Sequence, residues 1–153
     1  MTRWIPLFLL PLLSCAQKEY TPAECASLAS PNQFLQRCMG GKVNGDYIGD
    51  LKCWPFSKRQ HLDGVLAFSF EHSVFYPNAT TRAQIEGVEP RIWFEDESIQ
   101  PPPKPLRGSP DGTTHVFLVQ AEGRLSLCDG WFGHLGHYPR EFIASRILSA
   151  RGL

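Results

Sequence analysis

The sequence has no excess of charge of either sign and no hydrophobic run long enough to cross a membrane. Its 15 lysine and arginine residues balance 15 aspartate and glutamate residues. This balance argues against a nucleic-acid-binding protein, because such proteins concentrate positive charge on one face. The apolar run Trp4 to Leu13 has ten residues, whereas a helix needs about 20 to span a bilayer. The sequence therefore predicts neither a nucleic-acid partner nor a membrane-spanning helix in this run.

Several motifs of catalysis and metal binding are also missing. No Cys-x-x-Cys pair and no Gly-x-Ser-x-Gly elbow occurs, which argues against a zinc finger and against an α/β-hydrolase. No repeat of solenoid or propeller period is visible. Hydrophobic residues make up 42% of the chain, enough to form a core, and 13 glycines with 13 prolines indicate many turns. We predict one compact domain without a cofactor.

Residues 1–16 have the pattern of a signal peptide. Arg3 precedes the apolar run, and Ser14 and Ala16 place small residues at the positions that a general signal peptidase reads. Cleavage there leaves Gln17 as the first residue of a soluble secreted or periplasmic protein. The sequence thus predicts export.

The segment Leu12-Leu13-Ser14-Cys15 resembles the lipobox of bacterial lipoproteins, whose cysteine is lipidated and becomes the new N-terminus. This resemblance implies a bacterial cell-envelope lipoprotein that carries its lipid on Cys15. Such an anchor tethers a domain to a membrane without embedding it. We favour this interpretation over the soluble form.

Four further cysteines predict two disulfides, since an even number in an exported protein is typical of a disulfide framework. They are Cys25, Cys38, Cys53 and Cys128, and three pairings are possible. We expect Cys25 to pair with Cys38, because both lie on adjacent predicted helices. Cys53 then pairs with Cys128.

Two capping motifs predict a short helical pair over residues 17–41. Thr21 with Glu24 has the form of a capping box, and Ser30 with Gln33 repeats the pattern. Proline follows both caps at the first helical position. The helices are predicted at Pro22–Ala29 and Pro31–Met39.

Residues 42–153 are predicted to form one β-rich domain. Leu66, Phe68 and Phe70 alternate with smaller side chains, which is typical of a strand with one buried face. A hairpin turn at Asn44–Gly45 and a reversal at Glu122–Gly123 are expected. The other predicted strands are Arg91–Glu95, Thr114–Ala121, Arg124–Cys128 and Arg140–Ser149. The last segment also fits a helical stripe, and Pro101–Pro105 is expected to be an extended surface loop.

The predicted fold class is mainly β with a short N-terminal helical pair. Several short strands in about a hundred residues suit a small Greek-key barrel of the OB type, or a compact sandwich. Disulfides staple the domain. This architecture does not by itself indicate a function.

The stretch from Asp129 to Arg140 is the densest in side chains that bind ligands. A glycine-rich loop can present such side chains on a scaffold, although the same glycines also suit a purely structural loop. Phe75 and Tyr76 are expected to form a second, exposed aromatic platform. The candidate ligand-binding residues are Trp131, His134, His137, Tyr138, Arg140, Phe75 and Tyr76.

Catalytic interpretations are less well supported. His134 and His137 could serve a small metal-dependent hydrolase with Asp129 or Glu71 as the acid, but glycines at 133 and 136 argue against one helical face. Glu71, His72 and Ser73 cannot converge as a triad, because neighbours in a strand point to opposite faces. We therefore predict no metal site and no catalytic residues.

The function predicted from the sequence is that of a non-enzymatic, exported binding module of the cell envelope. Its partner is an envelope glycan or protein, recognised by loops on a small β-scaffold. The small metal-dependent hydrolase and a purely structural envelope lipoprotein are the alternatives.

Overall fold

The computed structural model describes residues 20–28, 38, 54–69, 72–97 and 113–153. Within these ranges the chain forms one short helix and five β-strands. In chain order the elements are α1 (Pro22–Leu28), β1 (Gln60–Ser69), β2 (His72–Pro77), β3 (Ile92–Asp96), β4 (His115–Leu125) and β5 (Arg140–Gly152).

The strands close into a barrel with the order β1-β2-β3-β5-β4. Neighbouring strands are antiparallel, except that β3 and β5 run parallel. The predicted mainly β fold is confirmed, and of the two predicted architectures the barrel is the one that forms. Closure also pairs the edges that an open sheet would expose.

The barrel core follows from the period of two in each strand. Phe117, Val119 and Ala121 on β4 all point inward and are buried. The rings of Phe75 and Phe142 lie 5.6 Å apart, centre to centre. Each fully buried phenylalanine contributes about 2 to 3 kcal/mol by removing apolar area from water. The buried core residues are Leu66, Phe75, Phe94, Phe117, Val119, Ala121, Phe142 and Ala144.

The strand predictions at 91–95 and 140–149 are confirmed by β3 and β5, so the helical alternative for the last segment is wrong. The predicted reversal at Glu122–Gly123 is wrong as well. β4 runs through both residues and shifts its register against β5 between Gln120 and Ala121 and again between Glu122 and Gly123. The glycine serves close packing rather than a turn, because a Cβ on Gly123 would lie 2.7 Å from the ring of Phe142.

The first predicted helix is confirmed as α1, and so is its capping box. The backbone N–H of Glu24 donates to the Thr21 hydroxyl at 3.2 Å, and the Thr21 N–H donates to the Glu24 carboxylate at 2.9 Å. These two bonds satisfy donors that a helix start leaves without intrahelical partners.

Some predictions fall on residues that the structure does not describe. The export segment with Cys15, the hairpin at Asn44–Gly45, Cys53 and the proline stretch at 101–105 lie outside the described residues. The second predicted helix does too, apart from Cys38, which is helical.

The predicted disulfide pairing is wrong. Cys25 is bonded to Cys128 across 103 residues of sequence. The reason is tertiary: α1 lies beside the end of β4, where Cys25 Sγ is 3.8 Å from the carbonyl oxygen of Leu127. Cys38 is also disulfide-bonded, so among the remaining cysteines its partner is Cys15 or Cys53, both outside the described residues.

Candidate functional site

β2 is buried on both of its faces. Phe75 points into the barrel core, whereas Val74 points outward and is also fully buried. The outward side belongs to a second hydrophobic cluster, here called the second core, whose buried members are Trp54, Val74, Cys128, Phe132 and Tyr138. Cys25 and Leu28 of α1 pack against it. The outer surface of the barrel at Val74, in the middle of β2, is therefore covered by parts of the same chain.

The segment between β4 and β5, residues 126–139, provides much of that cover. It folds back as a small hairpin in which Phe132 N–H donates to the Tyr138 carbonyl at 2.9 Å and the reverse bond is 3.1 Å. Phe132 is fully buried. Its ring meets those of Trp54 and Phe56 edge-on, with centres 6.5 and 6.2 Å away. These contacts hold the segment 126–139, which we call the β4–β5 loop, against the second core.

Four side chains meet where the β4–β5 loop crosses β2 and β3, and we call them the aromatic face: His72, Tyr76, Trp93 and Tyr138. The Tyr138 hydroxyl lies 3.1 Å from Nδ1 of His72. The Trp93 and Tyr138 rings are 5.3 Å apart, and Trp93 Nε1 donates to the Glu95 carboxylate at 3.0 Å. Tyr138 is buried, while the other three side chains are partly exposed.

Burial shifts the ionisation of the aromatic face toward neutral forms. Desolvation lowers the pKa of His72 and raises the pKa of Tyr76. Desolvation, together with the neighbouring Tyr76, also raises the pKa of Tyr138. At neutral pH, a His72 ring protonated on Nε2 accepts a hydrogen bond on Nδ1 from the Tyr138 hydroxyl. The face then presents aromatic rings with hydrogen-bonding groups and no charge of its own.

We expect His72 to make the protein less stable in acid. Its folded pKa lies below the unfolded value of 6.5, so the unfolded chain binds more protons between the two values. The stabilisation by neutral His72 is thus complete above pH 6.5 and is lost as the pH falls through the folded pKa. His72→Asn keeps an acceptor for the Tyr138 hydroxyl but cannot titrate. Urea unfolding across this pH range should show wild type losing stability relative to the variant; a pH-independent difference would contradict the assignment.

Charged residues lie at the base of the β4–β5 loop. The Asp129 carboxylate is 3.8 Å from the Arg140 guanidinium and 3.9 Å from that of Arg91. Arg140 Nε donates to the Ser126 hydroxyl at 3.1 Å, and another guanidinium nitrogen donates to the Ser126 carbonyl. Half-buried and bonded to its own chain, Arg140 holds the loop base together.

The far end of the loop, residues 131–137, is here called the loop tip. Gly133, Leu135 and Gly136 have positive φ angles of 66°, 56° and 69°, which bend the backbone sharply. Leu135 is 78% exposed and Trp131 46% exposed. His134 and His137 are exposed at the two ends of a single 3-10 turn.

The structure separates the sequence-predicted ligand-binding residues into four places. Tyr76 and Tyr138 meet on the aromatic face. Trp131, His134 and His137 lie on the loop tip, and Arg140 lies at the loop base. Phe75 is 1% exposed in the barrel core, so the expectation that it forms an accessible pair with Tyr76 is wrong. Consecutive strand residues point to opposite faces.

Sequence reasoning missed His72 and Trp93 as members of the face. The available signal was strand parity. His72 and Tyr76 are four residues apart on β2, so they share a face, and Val74 pairs with Trp93 on β3. What the sequence does not contain is the contact between this face and the β4–β5 loop.

The described residues contain no group of three histidine, cysteine or acidic side chains placed to hold a metal ion. They also contain no helix with the length and apolar character that a membrane span requires.

Comparisons with protein-family models, curated proteins and solved structures find no match to this chain. Its class is therefore defined by its own geometry: a disulfide-linked, five-stranded closed β-barrel with a second core and an aromatic face on its outside.

Proposed function

We propose that the chain is a non-enzymatic, exported binding module with an OB-type Greek-key barrel. The strand order β1-β2-β3-β5-β4, with only β3 and β5 parallel, supports the OB assignment. OB folds bind oligosaccharides and oligonucleotides on the β2–β3 side, with the β1–β2 and β4–β5 loops at its border. The aromatic face occupies this side. Because fold analogy alone does not establish function, the proposal depends on the residues of the face.

The ligand class that suits these residues is a glycan. Sugar rings combine apolar C–H surfaces with hydroxyl groups, so they are recognised by aromatic rings beside a few fixed polar groups. Trp93 and Tyr76 supply partly exposed rings. The Tyr138–His72 pair and the Glu95 carboxylate supply donors and acceptors within the same small area. This combination is the observation that carries the proposal.

Export supports an envelope or extracellular glycan. The N-terminal pattern of residues 1–16 and the Cys25–Cys128 disulfide are both typical of proteins outside the cytosol. With lipid on Cys15 the module would remain on the cell envelope. Without it, the same module would act as a secreted or periplasmic protein.

The test is binding to an array of immobilised oligosaccharides that includes cell-wall fragments. Tyr76→Ala removes a partly exposed ring, and we expect affinity for the bound glycan to fall about tenfold. Tyr76→Phe keeps the ring and should retain most of the affinity. Thermal unfolding of both variants is measured as well, to show that the lower affinity of Tyr76→Ala comes from the lost ring and not from a loss of folding.

Leu148→Ala is the matched control, because Leu148 is a partly exposed apolar residue of β5 outside the face. It should leave affinity unchanged. Failure of the folded wild-type protein to bind any glycan of the array would overturn the proposal, as would equal losses in Tyr76→Ala and Leu148→Ala.

A further inference from the structure

We propose that the loop tip contacts a lipid surface, so that the domain touches the membrane through Trp131 and Leu135. This inference goes beyond glycan binding, but it rests on the envelope location in the proposed function. It concerns residues that lie outside the aromatic face.

The tip has the composition of a segment that enters the headgroup region. From Gly130 to Pro139 the sequence holds no lysine, arginine, aspartate or glutamate. Trp131 and Leu135 are 46% and 78% exposed. Tryptophan favours the membrane–water interface, and an exposed leucine gains from leaving water.

The backbone holds Leu135 outward at a cost. Its φ angle of 56° is left-handed, a region that leucine rarely adopts because its Cβ then crowds the following carbonyl oxygen. Asparagine or glycine would fit this conformation better. A strained apolar side chain that is exposed to solvent indicates that Leu135 belongs to a binding surface.

The tip is also presented rigidly. Phe132 is buried in the second core directly beside Trp131, and Gly136 lies against Trp131, where an added Cβ would be 3.3 Å from the Trp131 Cβ. A fixed apolar projection loses little conformational freedom when it enters a surface.

The position of the N-terminal segment favours a lipid surface over a protein as the partner of the loop tip. The Cys25–Cys128 disulfide ties the N-terminal segment to the base of the β4–β5 loop, and Tyr20 packs against the second core. Cys15 precedes Tyr20 by only five residues, a span of about 17 Å when fully extended. A lipid on Cys15, which requires that Cys38 pairs with Cys53, would therefore hold the second core, and with it the loop tip, close to the bilayer.

The experiment uses the soluble form that begins at Gln17, so that neither an acyl chain on Cys15 nor the apolar run Trp4 to Leu13 contributes to binding. Vesicles of phosphatidylethanolamine and phosphatidylglycerol are sedimented with the protein. Brominated lipids report whether tryptophan fluorescence is quenched. Trp54 is 3% exposed, but Trp93 is partly exposed and lies against Gly133 of the tip, so every variant also carries Trp93→Phe. Quenching should then come mainly from Trp131 and should be lost when Trp131→Phe is added.

We expect Leu135→Asn to lower the partition coefficient about tenfold, and the double variant with Trp131→Ala to lower it further. Leu135→Asn relieves backbone strain, so its thermal stability should equal or exceed wild type and misfolding would not explain the loss. Val88→Asn is the matched control, since Val88 is 49% exposed in another loop. It should bind vesicles as wild type does.

The proposal is overturned if wild type does not bind vesicles, if Val88→Asn loses as much binding as Leu135→Asn, or if quenching persists in Trp131→Phe. A protein pulled down by the tip without any vesicle binding would likewise overturn it. The tip variants should keep their glycan affinity on the oligosaccharide array. Failure of the lipid contact is thus distinguished from failure of the proposed function.

Discussion

Replacing Cys25 and Cys128 together by alanine should lower the free energy of unfolding by about 4 to 5 kcal/mol. The disulfide closes a loop across 103 residues, and the chain-entropy model gives this magnitude for a loop of that length. It is a large part of the stability of a domain this size. The bond also holds α1 on the second core, so the β4–β5 loop should become more open. Urea unfolding measures the free energy of unfolding, and amide hydrogen exchange at residues 126–139 measures the opening of the β4–β5 loop.

Cys38→Ala provides the comparison. Cys38 belongs to another disulfide, and either remaining cysteine would close a much shorter loop with it. We expect a smaller loss, about 3 kcal/mol, without faster exchange at Phe132 and Tyr138. If both replacements cost the same and leave exchange unchanged, the long-range bond does not have the role assigned to it.

Gly133→Ala should cost about 3 kcal/mol or more and should detach the β4–β5 loop from β3. Two effects add at this position. The backbone has φ 66° and ψ −164°, a conformation that is almost confined to glycine. An added Cβ would also lie 2.5 Å from the Trp93 ring and 2.7 Å from the Tyr138 ring. Neither ring can retreat without disturbing the aromatic face.

Gly87→Ala separates these two effects. Gly87 has a φ of 73°, but an added Cβ would meet nothing within 4 Å. It should cost only about 1 kcal/mol, the penalty of left-handed backbone alone. Thermal unfolding compares the variants, and the fluorescence of Trp93 reports loop detachment. Equal costs at the two positions would show that Gly133 does not pack against the rings as described.

The barrel was predictable in part because a strand carries its own signal. Alternation around Leu66 required no knowledge of neighbours, and β1 forms there. The segment after Arg140 also fits a helical stripe, and only the β pattern around it favoured the strand that β5 forms. The reversal at Glu122–Gly123 failed because a glycine in a strand has two meanings, a turn or a close approach. Only the partner strand, which places Phe142 beside Gly123, decides between them.

The candidate site was predictable only one residue at a time. Strand parity, which already excluded a triad at Glu71, His72 and Ser73, also separates Phe75 from Tyr76. The pairing of Cys25 with Cys128 and the meeting of His72 with Tyr138 join positions 103 and 66 residues apart. Contacts of this kind depend on tertiary packing, which local patterns do not encode.

The double burial of β2 has a consequence for detecting ligands. One backbone carries Phe75 into the barrel core and Tyr76 onto the aromatic face, so the two regions cannot loosen independently. A molecule that binds Tyr76 in the folded state must also favour the closed barrel by mass action. A rise in melting temperature would therefore report occupancy of the face. A library of unlabelled glycans could be screened for the ligand by thermal unfolding.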